Sequence, residues 1–362
     1  MRKEKIHFKK RQDNDFYRVV KARVYDWFER EGISPHANKT MWVKFSCHLL
    51  AYLLLFTLIF SDHFEGVTLV MLFVLFGVIQ ALMGFNISHD ALHGAFSRSK
   101  RVNRYLGYFF DFCGESSFVW KTSHNVQHHT FTNISGHDDD INKAPLLRFS
   151  PHDPWAPHHR YQHLFILPLY SMITLSWIYW GDWQAFIQAG KNGQTNLKDW
   201  MIFTGFKGLN LFIMVLLPFI ALSVPVWLIV TSLILMNMVA SLVLSVVFQM
   251  AHLVEGVEFP LPDRSGKIED EWAAHELKTT SNFATHNQVL SWFLGGLNFQ
   301  VEHHLFPQVC HVHYSKIQSI VKATAKEFGL PYNEQATFSK AFISHLKTLK
   351  KFGAKAKEVY VS

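Results

Sequence analysis

Apolar residues along this chain gather into long blocks rather than alternating with polar ones. Four blocks, at about 41–60, 67–86, 201–222 and 226–247, run with almost no charged residue. Each is close to the length a helix needs to cross the hydrocarbon core of a bilayer. The pattern predicts an all-α integral membrane protein with four transmembrane helices and a cytosolic helical cap. A fifth apolar block, 163–180, contains Pro168 and ends on Trp177, Tyr179 and Trp180. Those features suit a helix lying in the interface rather than crossing it. Near the start, Phe16, Tyr17, Val20, Val24, Trp27 and Phe28 fall at helical spacing. That stripe fits either a helix resting on the membrane surface or one packed on the cap. The expected division is an interfacial N-terminal segment 1–40, a membrane domain 41–335 and a cytosolic tail 336–362. The end, KTLKKFGAKAKEVYVS, reads as solvated and basic.

Charge gives this layout an orientation. Lys3, Lys5, Lys9, Lys10 and Arg11 precede the first block, and Arg98, Lys100, Arg101 and Arg104 follow the second. The short links 61–66 and 223–225 carry no Lys or Arg. By the positive-inside rule both termini and the 87–200 region are cytosolic. The formal net charge of +7 is met most simply by an anionic membrane surface, and no nucleic-acid partner is expected. Arg98, Lys100, Arg101 and Arg104 are read as flanking charge rather than a phosphate site. Three widely spaced cysteines, Cys47, Cys113 and Cys310, make neither a disulfide framework nor a cysteine zinc site. The polar, basic N-terminus does not look like a secretory signal.

Histidine changes the picture. The chain has 22 of them, and seven fall in three clusters: His89 and His93; His124, His128 and His129; His303 and His304. On a helix, positions i and i+4 share a face, so His89 with His93, and His124 with His128, can each address one metal ion. Gln300 stands in the same relation to His304. His252, at the end of the fourth block, is a candidate eighth imidazole. Catalytic zinc usually takes three protein ligands and structural zinc four, so this number suits two ions. A redox pair of irons fits a lipid-fed site better than two zincs. The clusters meet only if an even number of crossings separates them, which again favours an interfacial 163–180. Single histidines such as His275 and His345 are read as hydrogen-bonding groups, and His286, His311 and His313 as surface or supporting groups.

The strings HDALHGAF, HNVQHHTFTNISGHDDDI and GGLNFQVEHHLFP, in this order around four spans, resemble the membrane fatty acid desaturases. Gln300, where many of those enzymes have histidine, resembles the front-end branch, which places a double bond between an existing one and the carboxyl end. The resemblance covers roughly 40–335. It implies two non-heme irons held by His89, His93, His124, His128, His129, His252, His303 and His304, with Gln300 at a ligand position. It implies O2 as co-substrate and an acyl-CoA or acyl-lipid substrate. Ligating imidazoles need their second nitrogen held, and Asp90, Asp138, Asp140 and Glu302 are the nearby carboxylates. No His-Pro-Gly-Gly heme motif is present and residues 1–40 are too few for a fused cytochrome b5 domain. The electron donor is therefore expected to be ferredoxin or free cytochrome b5, in a bacterial cytoplasmic membrane rather than the endoplasmic reticulum. Two other readings stay open: a hydroxylase on the same metal core, and a membrane metal transporter. The second is disfavoured because its ligands should lie within the spans.

Overall fold

The computed structural model describes residues 6–10 and 15–355. Lys3, Lys5, Arg11 and the basic end 356–362, invoked above, lie outside the described residues. Among these residues four helices are long and apolar enough to cross a membrane: Lys39–Phe60, Gly66–Leu92, Leu197–Ala221 and Val226–His252. The first starts at Asn38, whose side chain accepts the Met41 amide hydrogen bond, and the third at Asn196, which forms a capping box with Asp199. Such caps satisfy backbone N–H groups that the helix itself leaves free. Leu50, Val67, Ile220 and Trp227 are exposed on the outer faces of the spans. A broad apolar exterior of this kind is solvated by lipid, not water.

The second and fourth helices run past their apolar blocks. Intrahelical hydrogen bonding continues through Asn86 and Ser88 to Leu92, and through Gln249 to His252. The hydropathy pattern loses the helices where their polar residues begin, so the sequence-derived ends near 86 and 247 are short. The second and fourth spans pack closely at Gly77, where an added Cβ would collide with the Met236 carbonyl. Gly77→Val should therefore lower thermal stability in detergent by about 1–3 kcal/mol, the usual cost of overpacking. An unchanged melting curve would deny this contact its role.

Residues 157–191 form two helices, Pro157–Tyr170 and Ile173–Lys191, bent by 70° at their junction. The break is anchored on the fourth span: Ser241 Oγ donates to the Tyr170 carbonyl at 2.6 Å and accepts from the Thr174 amide at 3.0 Å. The helix Phe16–Arg30 buries Phe16, Val20, Val24 and Phe28 against Leu305, Ile317, Val321 and Ala325. Its apolar stripe thus belongs to the cap and not to the membrane surface. The solvated end expected after residue 346 is corrected as far as it is described. Helix Phe338–Gly353 buries Ala341, His345, Leu349 and Phe352, spaced at three to four residues. Leu349 and Phe352 join a core with Phe149, Ile166 and Tyr170. Among the described residues the strands are two short parallel pairs, His7–Phe8 with Lys267–Ile268 and Ser281–Phe283 with Asn333–Gln335.

Candidate metal centre

Two departures from α-helix place the first two histidine clusters. A π-helical turn, Gly84–Ser88, precedes His89, and a longer one, Lys121–His128, carries His124 and His128. The wider π turn sets residues i+4 and i+5 on either side of residue i. Accordingly His124 lies 5.1 Å from His128 and 4.8 Å from His129, ring centre to ring centre. The third cluster sits on the short helix Gln300–Leu305.

These elements converge into two adjoining groups. In the first, the nitrogens of His89, His93, His124 and His303 lie within 4.8 Å of one another. In the second, His128, His252 and His304 meet the same limit. His129 stands between them, 4.7 Å from His93, 4.6 Å from His303 and 4.3 Å from His304 by ring centres. Its Nε2 is 3.2 Å from His124 Nε2. Gln300 is fully buried beside His252, and its amide nitrogen has no protein partner among the described residues.

The unsatisfied atoms test whether metal fits. His128 Nδ1 lies 3.1 Å from Asp138 and 3.4 Å from Asp140. His252 Nδ1 faces the Thr279 carbonyl at 3.3 Å, and His303 Nδ1 the Tyr314 hydroxyl at 3.2 Å. His304 Nδ1 meets Glu276 Oε2 at 2.7 Å. Meanwhile Nε2 of His89, His93, His252, His303 and His304 has no protein partner although buried. Buried polar atoms are rarely left unpaired. In His252, His303 and His304 one nitrogen is held and the other free, the arrangement that orients an imidazole toward a metal.

Several sequence expectations change here. Asp90 Oδ1 is 4.0 Å from His89 Nδ1, but its Oδ2 is taken by His311, through both the amide at 3.1 Å and Nδ1 at 2.9 Å. His311 is thus a buried supporting group, joined in turn to Lys44 at 2.8 Å. Glu302 does not hold a histidine. Its oxygens accept from Asn282 at 2.8 Å and Tyr332 at 2.7 Å, so it braces the helix from behind. His345 is buried between the Tyr170 hydroxyl and the Leu253 carbonyl. His313 bonds the His36 carbonyl, and exposed His286 the Ala336 carbonyl.

Glu276 and Thr132 are absent from the sequence reading. Thr132 Oγ1 donates to Glu276 Oε2 at 2.9 Å, beside His304. The available signal was the placement of Glu276 next to His275 in an otherwise apolar turn. Asn133, held at φ 60°, is another. Its amide donates to the carbonyls of His252, Glu258 and Thr279 and so ties the loops around the site.

Burial holds His124, His129, His303 and His304 well below the ordinary imidazole range, and neighbouring imidazoles add to it. His128 differs: burial opposes its charge, but Asp138 and Asp140 prevail and raise it to about 9. In the metal-free protein, acidification through about pH 6.5 protonates the first four only on unfolding, so stability falls as pH drops. The His128 contribution has the opposite sign. It is complete below the unfolded value and is lost as pH rises through about 9. The melting temperature of metal-free protein should therefore decline on both sides of a maximum between these limits. A flat profile would contradict the linkage.

A model of the family described as fatty acid desaturase matches residues 66–336 of this chain. The chain is 37% identical over 361 residues to an sn-1 linoleoyl-lipid 6-desaturase of Synechocystis, covering 97% of this chain and 98% of that protein. It is 37% identical over 343 residues to the protein of the same description from Arthrospira platensis, covering 93% and 92%. An acyl-lipid (8-3)-desaturase of Physcomitrium patens is 34% identical over 370 residues, covering 97% of this chain and 74% of that protein.

Proposed function

Because the chain belongs to the fatty acid desaturase family, we propose that it inserts a cis double bond into an acyl-lipid or acyl-CoA, between an existing double bond and the carboxyl end. The observation that carries this reading is the pair of adjoining buried histidine groups, in which Nε2 of His89, His93, His252, His303 and His304 has no partner among the described residues and Nδ1 of His128, His252, His303 and His304 is held. Imidazole donors suit iron. In this reading His89, His93, His124 and His303 hold one iron and His128, His252 and His304 the other. His129 lies between them, and Gln300 is a further donor beside His252.

The reaction removes two hydrogens from neighbouring methylenes. With O2, two electrons and two protons it gives an alkene and two waters. Bound iron supplies the O2 activation; the protein supplies position and a dry environment. Asp138, Thr279, Tyr314 and Glu276 hold the imidazoles in one tautomer and orientation. Trp120, stacked on His124 at 4.3 Å, and Phe248 line the site on its apolar side. Asp138 carries its charge in the buried wall of the site and offsets that of a cation bound beside it.

His128 and His252 lie in one group, and two spans separate them in sequence. An even number of crossings leaves residues 157–191 interfacial, and the basic flanks assign the site to the cytosolic side. Near-full-length similarity to proteins of Synechocystis and Arthrospira supports a bacterial membrane. The electrons come from a one-electron carrier, ferredoxin or cytochrome b5. Insertion of oxygen to give an alcohol is not favoured.

The test is expression in a host with competent electron donors, fed linoleate, with fatty acids profiled by mass spectrometry. A new trienoic acid with its added double bond nearer the carboxyl end is expected. An oxygenated product would restore the hydroxylase, and an unchanged profile would remove the enzyme reading.

A further inference from the structure

A narrow, partly open cavity of about 50 Å³ lies between helices of the bundle. A single water needs roughly 10–15 Å³ by this measure, so the cavity accommodates a few carbons of chain and not a whole acyl group. Its lining includes Gly84, Phe110 and Leu244. The Phe110 ring is 5.5 Å from Trp120, which stacks on His124 at 4.3 Å. Leu244 stands one helical turn before Phe248, whose ring is 6.3 Å from His89 and 5.8 Å from His124. One layer of aromatic rings thus separates the cavity from the histidines. A chain oxidised at the histidines and passing between these rings would reach the cavity a few carbons further on.

The lining is wrong for a saturated chain. Thr174, Gln80, Asn237 and Glu115 all face this space. The Thr174 hydroxyl is in a residue only 4% exposed and has no hydrogen-bond partner among the described residues. The Gln80 amide meets the Met214 sulfur, a weak acceptor, at 3.6 Å and the neighbouring Tyr52 hydroxyl. The Asn237 amide nitrogen donates to the Leu233 carbonyl at 2.8 Å, within its own helix, and keeps its second N–H. Burial, with Asp182 and then Asp111 adding to it, pushes the Glu115 carboxyl up to about 8, so it adds an O–H rather than a charge. A buried donor left unmade costs about 1–3 kcal/mol. A methylene cannot relieve that cost. The π face of an alkene accepts weakly from O–H and N–H donors.

Resting on the acyl desaturase reading, we propose that Thr174, with Gln80 and Asn237, recognises a cis double bond already present in the acyl chain. These residues set preference among chains; they are not part of the oxidation. The contacts are individually weak, and a saturated chain is disfavoured because it leaves the same donors dry.

The test uses purified full-length protein in detergent and equilibrium competition between radiolabelled methyl linoleate and methyl stearate, with no turnover required. Wild type should retain linoleate over stearate. Thr174→Val keeps the side-chain shape and the Thr174 amide bond to Ser241, and should reduce that ratio about two- to fivefold, as one weak contact allows. Thr174→Ser should restore the ratio, and Asn237→Leu should lower it independently. A wild type without preference, or an unchanged ratio in both Thr174→Val and Asn237→Leu, would overturn the inference. Because binding is read directly, these outcomes stand apart from the feeding experiment that tests desaturation itself.

Discussion

Replacing His303 by alanine should abolish desaturation while leaving the protein in the membrane. The His303 ring lies 4.5 Å from His89, 4.9 Å from His93 and 4.6 Å from His129, and its free Nε2 faces that group. From the third string, it thus reaches both members of the first histidine string and, with His124 at 6.1 Å, two of the second. Its loss removes a donor atom from the middle of a four-histidine group. The fall in product should exceed the about 10–100-fold that follows loss of a partner behind a ligand. The spans do not depend on His303, so membrane yield should stay near wild type. The control is His286→Ala, an exposed residue bonded only to the Ala336 carbonyl, which should leave product formation unchanged. Full product from His303→Ala would mean that this imidazole is not a ligand.

Glu276→Ala should lower activity and metal retention together, by about 10–100-fold. Glu276 is buried, with Oε2 2.7 Å from His304 Nδ1 and 2.9 Å from the Thr132 hydroxyl. In the metal-free protein burial favours the neutral form of both Glu276 and His304, so they share a hydrogen bond rather than an ion pair. Fixing Nδ1–H toward Glu276 leaves Nε2 of His304 as the lone-pair donor toward the metal. Glu276 therefore acts through His304 and is a positioning residue. The measurement is metal per chain after dialysis against a chelator, alongside product yield. Glu276→Gln retains an acceptor for Nδ1–H but places a second N–H donor beside the Thr132 hydroxyl, and should fall between wild type and alanine. Equal metal retention in all three proteins would sink this role.

The four spans and the three histidine strings were legible because each rests on a local signal: an apolar block of bilayer length, or imidazoles one turn apart. The division of those imidazoles was not. His128 groups with His252 and His304 as well as with His124, its neighbour four residues earlier. That grouping depends on where separate helices end in space. The π-helical turns leave no hydropathy signature, yet they bring both His128 and His129 to His124. Carboxylates close in sequence were unreliable guides. Asp138 does hold His128, whereas Asp90 turns to His311 and Glu302 to Asn282 and Tyr332. Glu276, distant from every cluster in sequence, reaches His304 because the helix Trp272–Thr279 packs beside Gln300–Leu305. The C-terminal helix was hidden by its lysines, whose charges mask the apolar stripe ending at Leu349 and Phe352.

In the proposed centre, imidazoles from three distant stretches and His252 surround two irons. Diffraction from iron-loaded crystals at the iron absorption edge, with iron per chain measured on the same preparation, tests it most directly. The expected result is two anomalous peaks, one amid His89, His93, His124 and His303 and one amid His128, His252 and His304. A single peak, or peaks away from these side chains, would contradict it.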